Sequence, residues 1–484
     1  MSDPSARKII PITVQSAPKG GPAEPGPAMH SLYEAQKKIY PRSVAGLFTR
    51  WRWVMVALTQ LVYYGLPWLN WGQRQAVLFD LGTRRFYIFG LVLYPQDFIY
   101  LTGLLVISAL SLFLFTAVAG RLWCGYTCPQ TIYTEIFLWI EHKLEGDRMA
   151  RMRLDAAPLS ANKLLRKGSK HFVWIVLSLW TGFTFVGYFS PIRALGTEFL
   201  HAQVTSWEVF WTFFYGFATY GAAGFMREQV CKYMCPYARF QSAMFDRDTL
   251  IVTYDTARGE PRGRRARSAD PATLDLGACI DCTLCVQVCP TGIDIREGLQ
   301  YECIGCGACV DVCDTVMDKM GYARGLIKYS TENAVEQRWS RSQIWRRVLR
   351  PRVLVYSAIL AAISLAVVFN LAMRTPFRVD VVRDRGTLAR VVNGGLVENV
   401  YQLQIMNATE SAQHYRITAT GLPGLSVVTD NTVMVDATKS RWVALRLQLP
   451  PDAAPAGSHP IRLAIEALDS PGRLVEKSVF LVPR

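Results

Sequence analysis

The chain has 484 residues, 51% of them hydrophobic, 12% aromatic and 19% charged, with a formal net charge of +15. It is too apolar for a wholly soluble protein and too charged for one buried in lipid throughout, and its length suits two or three cored units better than one. The positive excess fits either nucleic acid or an anionic membrane surface, and the placement of the basic residues decides between them.

In chain order, residues 1–50 are a cytoplasmic polar tail, of which Ser2 to about Pro27, rich in Pro, Gly and Ser, reads as disordered. No apolar run follows its early basic residues, so no cleavable signal peptide is expected. Five apolar segments, centred on Leu61, Ser108, Trp180, Tyr215 and Ala361, approach the roughly 20 residues that a helix needs to cross a bilayer. Four of them fall within 51–230 and the fifth over 351–374. The first, from about Val54 to Leu69, is interrupted by Gln60, Gly65 and Pro67, with Trp51, Trp53, Trp68 and Trp71 as interfacial anchors. Basic residues collect from Lys143 to Lys170, and nineteen more lie from Arg227 to Arg352, whereas Arg193 stands alone between the third and fourth segments. Those two basic regions are therefore expected to be cytoplasmic, with everything after about Arg374 periplasmic, in a multi-pass bacterial inner-membrane protein. Topology and attraction to anionic lipid account for the net charge, so nucleic acid is not expected as a partner.

All twelve cysteines lie between Cys124 and Cys313, which is not the distribution of a disulfide framework. Four of them form two copies of C-x3-C-P, CGYTCP from Cys124 and CKYMCP from Cys231, each just past the cytoplasmic end of an apolar segment. Basic Arg121 or Arg227 stands upstream and a helical pattern follows, so helix, cysteine pair and helix read as an internal repeat. Proline suits the first helical position, which puts Cys128 and Cys235 at helix N-caps, where the dipole is expected to lower the thiol pKa. Four soft sulfurs brought together would favour Cu(I) over harder cations. The plainer reading is packing cysteines at helix starts.

Within residues 231–350 lies CIDCTLCVQVCP from Cys279, which is C-x2-C-x2-C-x3-C-P, followed by CIGCGACVDVC from Cys303 with the same cysteine spacing. This is the bacterial two-cluster ferredoxin pattern, in which the fourth cysteine of each run serves the other cluster. Cys279, Cys282, Cys285 and Cys313 are thus expected to hold one 4Fe–4S cluster, and Cys303, Cys306, Cys309 and Cys289 the second. Gly305, Gly307 and Ala308 suit the tight turns required. Asp314 follows Cys313 where Pro290 follows Cys289, a departure that leaves ligation intact. A pair of zinc sites is the competing reading, since C-x2-C also suits tetrahedral zinc.

From 375 to 484, alternating runs such as NVYQLQIMN, RWVALRLQL and HPIRLAIEA are separated by Gly, Pro, Asp and Asn, the pattern of an all-β sandwich of immunoglobulin type with no disulfide. Its expected role is interaction or stabilisation. Six histidines offer little: His142 and His171 could ligate metal or haem, but no pair has helical ligand spacing, and no Gly-rich nucleotide fingerprint is present. The fold class is therefore a mixed membrane protein with five transmembrane α-helices, a two-cluster ferredoxin-like α+β insert and an immunoglobulin-like sandwich.

CGYTCPQT, CKYMCPYARFQ, the ferredoxin run and MDKMGYARGLIKYSTEN from Met317 together resemble the cytochrome c oxidase accessory protein family, CcoG, also called FixG or RdxA. The resemblance covers nearly the whole chain. It implies a protein that supports assembly of a copper-containing haem oxidase by reducing cupric to cuprous ion. On that resemblance Cys124, Cys128, Cys231 and Cys235 become the copper sites. The implied partners are copper, a chaperone or oxidase assembly factors, and an unidentified electron donor. Copper bound between two copies would make a homodimer. Two other readings stand beside it, a quinol-linked electron-transfer subunit and a non-enzymatic assembly scaffold.

Overall fold

A computed structural model describes residues 38–268, 274–384, 386 and 389–483. The tail expected over Ser2–Pro27 lies outside them, and every element below belongs to the unit Tyr40–Arg484. Helix α1 (Leu47–Gly65) starts earlier than its apolar run because a distant carboxylate caps it. The backbone N–H groups of Phe48 and Thr49 donate to Asp311 at 3.1 and 2.7 Å, satisfying donors that a helix start leaves free. Between α1 and the next helix lie short antiparallel strands that sequence reading missed: a two-residue pair, Asn70–Trp71 with Arg74–Gln75, and a three-stranded sheet of β1 (Val77–Asp80), β2 (Arg85–Ile88) and β3 (Leu91–Leu93).

Helix α2 (Phe98–Ala119) leads into short α3 (Leu122–Tyr126), α4 (Pro129–Glu145) and α5 (Arg148–Ala156). Then follow α6 (Ala161–Val186), α7 (Ile192–Leu200), α8 (Ser206–Gly221) and α9 (Pro236–Met244). Glycine lets α6 and α8 touch: a Cβ at Gly182 would lie 2.1 Å from the Thr212 carbonyl oxygen. The five apolar segments all become helices, yet among the described residues two are long and apolar enough to cross a membrane. These are α2 with its leading turn, from Pro95, and the last helix, Pro351–Ala372. The expectation of five is corrected on that measure. α1 is diluted by Arg50, Arg52 and Gln60, α6 is basic through its first half, and α8 has 16 residues before it widens into a π-helical turn at Ala222–Met226.

The cysteine-rich insert is closed by strands β4 (Ile251–Tyr254) and β5 (Ile327–Ser330), paired antiparallel from Ile251↔Ser330 to Tyr254↔Ile327. Between them run α10 (Leu284–Val288) and α11 (Ala308–Met320). The Pro351–Ala372 helix, α12, then leads to a β-sandwich whose strands are β6 (Phe377–Arg383), β7 (Val397–Asn407), β8 (Gln413–Thr420), β9 (Thr432–Val435), β10 (Ser440–Leu449), β11 (Gly457–Ala467) and β12 (Arg473–Val482). One sheet has the order β10-β7-β6 and the other β9-β8-β11-β12, with short strands at the edge of the first. Strict alternation along β8 sends Gln413, Tyr415 and Ile417 inward, and Tyr415 and Ile417 share one core with Tyr401, Leu403, Leu447, Leu463 and Phe480.

Candidate metal-cluster site

The two ferredoxin runs fold so that their cysteines line two separate cavities. One, of about 370 Å³, is lined by Cys279, Cys282, Cys285 and Cys313, with Tyr254 and Arg296 at its wall. The other, of about 360 Å³, is lined by Cys289, Cys303, Cys306 and Cys309, and Cys285 borders it too. The fourth cysteine of each run therefore sits with the other run's triplet, as the interleaved pattern requires. The turns are set by backbone geometry: Gly305 and Gly307 have φ of 64° and 74°, the left-handed region where glycine carries no steric cost. A side chain at Gly307 would also meet Phe48 and the Tyr329 hydroxyl at about 3 Å.

Burial dominates the free thiols. It pushes Cys303 and Cys313 up to about 12 and Cys285 to about 11, and raises Cys306 and Cys309, with neighbouring thiolates adding to the effect at most of them. Such sulfurs ionise readily only against a bound cation. Among the described residues no three of His, Cys, Asp or Glu converge as a lone ion would demand. The cysteines ring hollows instead, an arrangement that fits a cluster better than a single zinc. Arg296 supplies positive charge beside Cys285 and is itself held by Asp281 and Asp294, each at 2.6 Å.

The paired cysteines come from distant parts of the chain and lie within electrostatic reach of one another, although among the described residues no three of them converge tightly enough to hold a lone ion. Cys128 caps α4 and Cys235 caps α9, each followed by proline at the first helical position. Cys124 and Cys231 lie near enough to feel the charge of the other thiols in the set. At Cys128 the expected fall in pKa is reversed. The backbone N–H groups of Gln130 and Thr131 at the helix start favour the Cys128 thiolate, but burial outweighs them and raises its pKa; Cys124 goes to about 11 and Cys231 to about 12 for the same reason. Spacing revealed the cap and could not reveal the desolvation.

Three residues that sequence reading did not single out for this role tie the thiol site to the second cavity. Gly125, between Cys124 and Cys128, packs so tightly that a Cβ would stand 2.9 Å from the Ile304 and Gly305 carbonyl oxygens and the Cys306 Cα. Arg121, 7% exposed, donates to the Tyr301 carbonyl on one side and to the Ala238 carbonyl at 2.6 Å on the other. It thus bolts the cluster loop to the helix that begins at Cys235. Fully buried Gln241 of that helix lies 3.4 Å from the Cys124 sulfur. Of the two histidines, His171 Nδ1 meets the Tyr220 hydroxyl at 2.9 Å, and His142 Nδ1 lies 3.8 Å from the Asp147 carboxylate.

Comparison with known proteins places 4Fe–4S domains over both cysteine-bearing regions. A 4Fe–4S dicluster domain profile matches residues 226–332, and a 4Fe–4S binding domain profile matches 101–145. A profile described as the IG-like fold at the C-terminal of FixG, with FixG named as an oxidoreductase, matches 367–483. The nitrogen fixation protein FixG of Rhizobium meliloti is 38% identical over 427 residues, 82% of each chain. Protein RdxB of Cereibacter sphaeroides is 37% identical, covering 93% of this chain and 97% of its own, and RdxA of the same organism is 37% identical, covering 91% and 95%. A crystal structure of a FixG-related protein from Vibrio parahaemolyticus aligns at 25% identity and a TM-score of 0.21, covering 22% of this chain and 97% of that one. The chain belongs to the FixG, RdxA and RdxB family, with 4Fe–4S domains and a C-terminal immunoglobulin-like domain.

Proposed function

We propose that this iron–sulfur oxidoreductase reduces Cu(II) to Cu(I) at Cys124, Cys128, Cys231 and Cys235 and passes the cuprous ion to a chaperone or to factors that assemble a copper-haem oxidase. Cys279, Cys282, Cys285 and Cys313 hold one 4Fe–4S cluster, and Cys289, Cys303, Cys306 and Cys309 the other. Such clusters supply one-electron uptake and release at potentials tuned by their surroundings. The chain's own contribution is position. Gly125 brings the thiol loop into backbone contact with the Ile304–Cys306 loop, and this juxtaposition carries the reading. Each Cu(II) gains one electron, and the resulting Cu(I) suits thiolate ligands better.

In this reading α1, α6 and α8 cross the inner membrane with α2 and α12, the cysteine-rich insert is cytoplasmic and the sandwich periplasmic. Outward-facing aromatic residues support it: Trp207, Phe213 and Phe217 on α8 are 71, 54 and 76% exposed, a face that water would not tolerate. A second reading rests on the 4Fe–4S binding profile over 101–145, which contains Cys124 and Cys128. There the four paired thiols hold a third cluster and copper is not the substrate. Anaerobically purified protein should contain about eight irons per chain on the first reading and about twelve on the second. Replacing all four paired cysteines by Ala should leave the spectra of the two ferredoxin clusters intact and lower Cu(II) reduction by at least about tenfold. An unchanged rate in that variant refutes the copper site.

A further inference from the structure

The two ferredoxin runs share a cysteine spacing and diverge after their fourth cysteine. In the first, α10 stops at Val288 and Cys289 is extended, with φ of −69° and ψ of 121°, the conformation that a following proline imposes on the residue before it. A turn follows, in which the Gly292 N–H donates to the Cys289 carbonyl at 3.3 Å. In the second run Asp314 stands in place of the proline, and α11 continues through Cys313 to Met320. That difference redirects a threonine. Thr291 and Thr315 occupy the same offset, two residues past the fourth cysteine of their runs. The Thr315 hydroxyl turns back on its own helix and donates to the Asp311 carbonyl at 2.9 Å. The Thr291 hydroxyl instead meets the Cys289 sulfur at 3.3 Å, its one side-chain hydrogen bond among the described residues.

The position of this threonine gives the bond a consequence. Thr291 is 4% exposed, so water competes little for its hydroxyl. With Ile304 it lines the cavity of Cys289, Cys303, Cys306 and Cys309, and the same two residues border a recess that reaches Cys231. The bonded sulfur therefore belongs to the quartet beside the paired thiols. None of that quartet's cysteines is exposed, whereas Cys282 of the other quartet is. An electron added where solvent is excluded gains little from water. A hydroxyl donated to a ligand sulfur favours the more negative, reduced state and so raises the potential.

We propose that the Thr291 hydroxyl raises the potential of the cluster at Cys289, Cys303, Cys306 and Cys309, and so draws electrons from the Cys279 side toward the paired thiols. The inference rests on the cluster ligation proposed above. In balance, the cluster at Cys279 gives up one electron as the cluster at Cys303 takes it up. No proton moves, because Thr291 keeps its hydrogen and only shares it with the sulfur. Pro290, with no counterpart after Cys313, is thus what makes two runs of equal spacing electronically unequal.

Redox titration of the full-length, anaerobically purified protein, followed by electron paramagnetic resonance in the absence of copper, tests this. Cys282→Ser, which changes a ligand of one cluster alone, assigns the signals. Thr291→Val keeps the side chain's shape and removes the donor. It should lower the midpoint potential of the cluster at Cys303 and leave that of the cluster at Cys279 in place. Thr315→Val, the matched threonine of the other run, should move neither. Thr291→Ser should titrate like the parent protein and Thr291→Ala like Thr291→Val, a pair that decides the matter even if valine disturbs cluster loading. Unmoved midpoints in Thr291→Val and Thr291→Ala, or an equal shift of both clusters, overturn the proposal. Protein without iron would refute the ligation together with it, whereas about eight irons per chain and unmoved midpoints refute this inference alone. Failure of the copper reading changes none of these outcomes, because no copper is present.

Discussion

At the scale of single residues, the weight falls on small and unremarked positions between the thiols. Gly125 has no room for a methyl group: the atoms 2.9 Å from its would-be Cβ are backbone atoms of the cluster loop, which cannot swing aside as a long side chain would. Gly125→Ala should therefore push the loop away, costing about 1–3 kcal/mol as overpacking does. The expected result is selective loss or broadening of the electron paramagnetic resonance signal of the cluster at Cys303, with the cluster at Cys279 unaffected. Equal spectra for the variant and the parent protein would show that the loop accommodates the methyl group. The cysteines themselves were legible in the sequence because ligand spacing is a local property of the chain. Gly125, Arg121 and Gln241 were not legible as partners, since the groups they meet lie more than a hundred residues away, and nothing in CGYTCP says which loop it will touch.

At the scale of elements, periodicity located what was long and missed what was short. Apolar runs of sixteen residues or more became helices, and the alternating runs after Thr375 became strands that pair in long registers such as Val397↔Leu449 through Met406↔Ser440. The strands over 77–93 hold three or four residues each, too few for alternation to stand out beside the neighbouring apolar segments. Length and type were legible, whereas partner and burial were not, which is why a helix cap at Cys128 was foreseen and its raised pKa was not. The same limit hides the α6–α8 crossing. Gly182 in α6 faces the Thr212 carbonyl oxygen at 2.1 Å from its would-be Cβ and the Gly216 nitrogen at 2.8 Å, a close approach of two helix backbones. Gly182→Leu should force the pair apart and lower the detergent-solubilised protein's midpoint of thermal inactivation, whereas Gly168→Leu, where open space surrounds the glycine of the same helix, should not. Since Gly→Leu favours the helix by propensity, equal loss in both variants would show that the damage does not come from the α6–α8 contact.

At the scale of the whole molecule, the strands absent from the sequence reading explain how the sandwich is held. Tyr94, beyond β3, donates its hydroxyl to the Asn407 carbonyl at 2.8 Å, and Leu78, Tyr87 and Val92 pack with Met406 of β7. Beneath them Asp97, with no exposed side-chain surface, receives Arg374 at 2.6 Å from the end of α12 and Arg378 at 2.9 Å from β6. One carboxylate at the start of α2 therefore fixes both the last helix and the first sandwich strand. A buried pair adds little net stability compared with an apolar equivalent, but removing one partner strands the other, at a cost of about 3–5 kcal/mol. Asp97→Asn should leave two guanidinium groups uncompensated and loosen the sandwich from its seat, read as faster proteolysis between Arg374 and Arg383 with iron content unchanged. Adding Arg374→Gln to Asp97→Asn should restore part of the protection, because the more deeply buried of the two orphaned charges is then gone; Arg374 keeps 6% of its side chain exposed against 29% for Arg378. If the double variant is cleaved as fast as the single one, the carboxylate acts through its other contact, the 3.1 Å hydrogen bond from the Tyr94 backbone N–H, and the turn before α2 is what holds the domain in place.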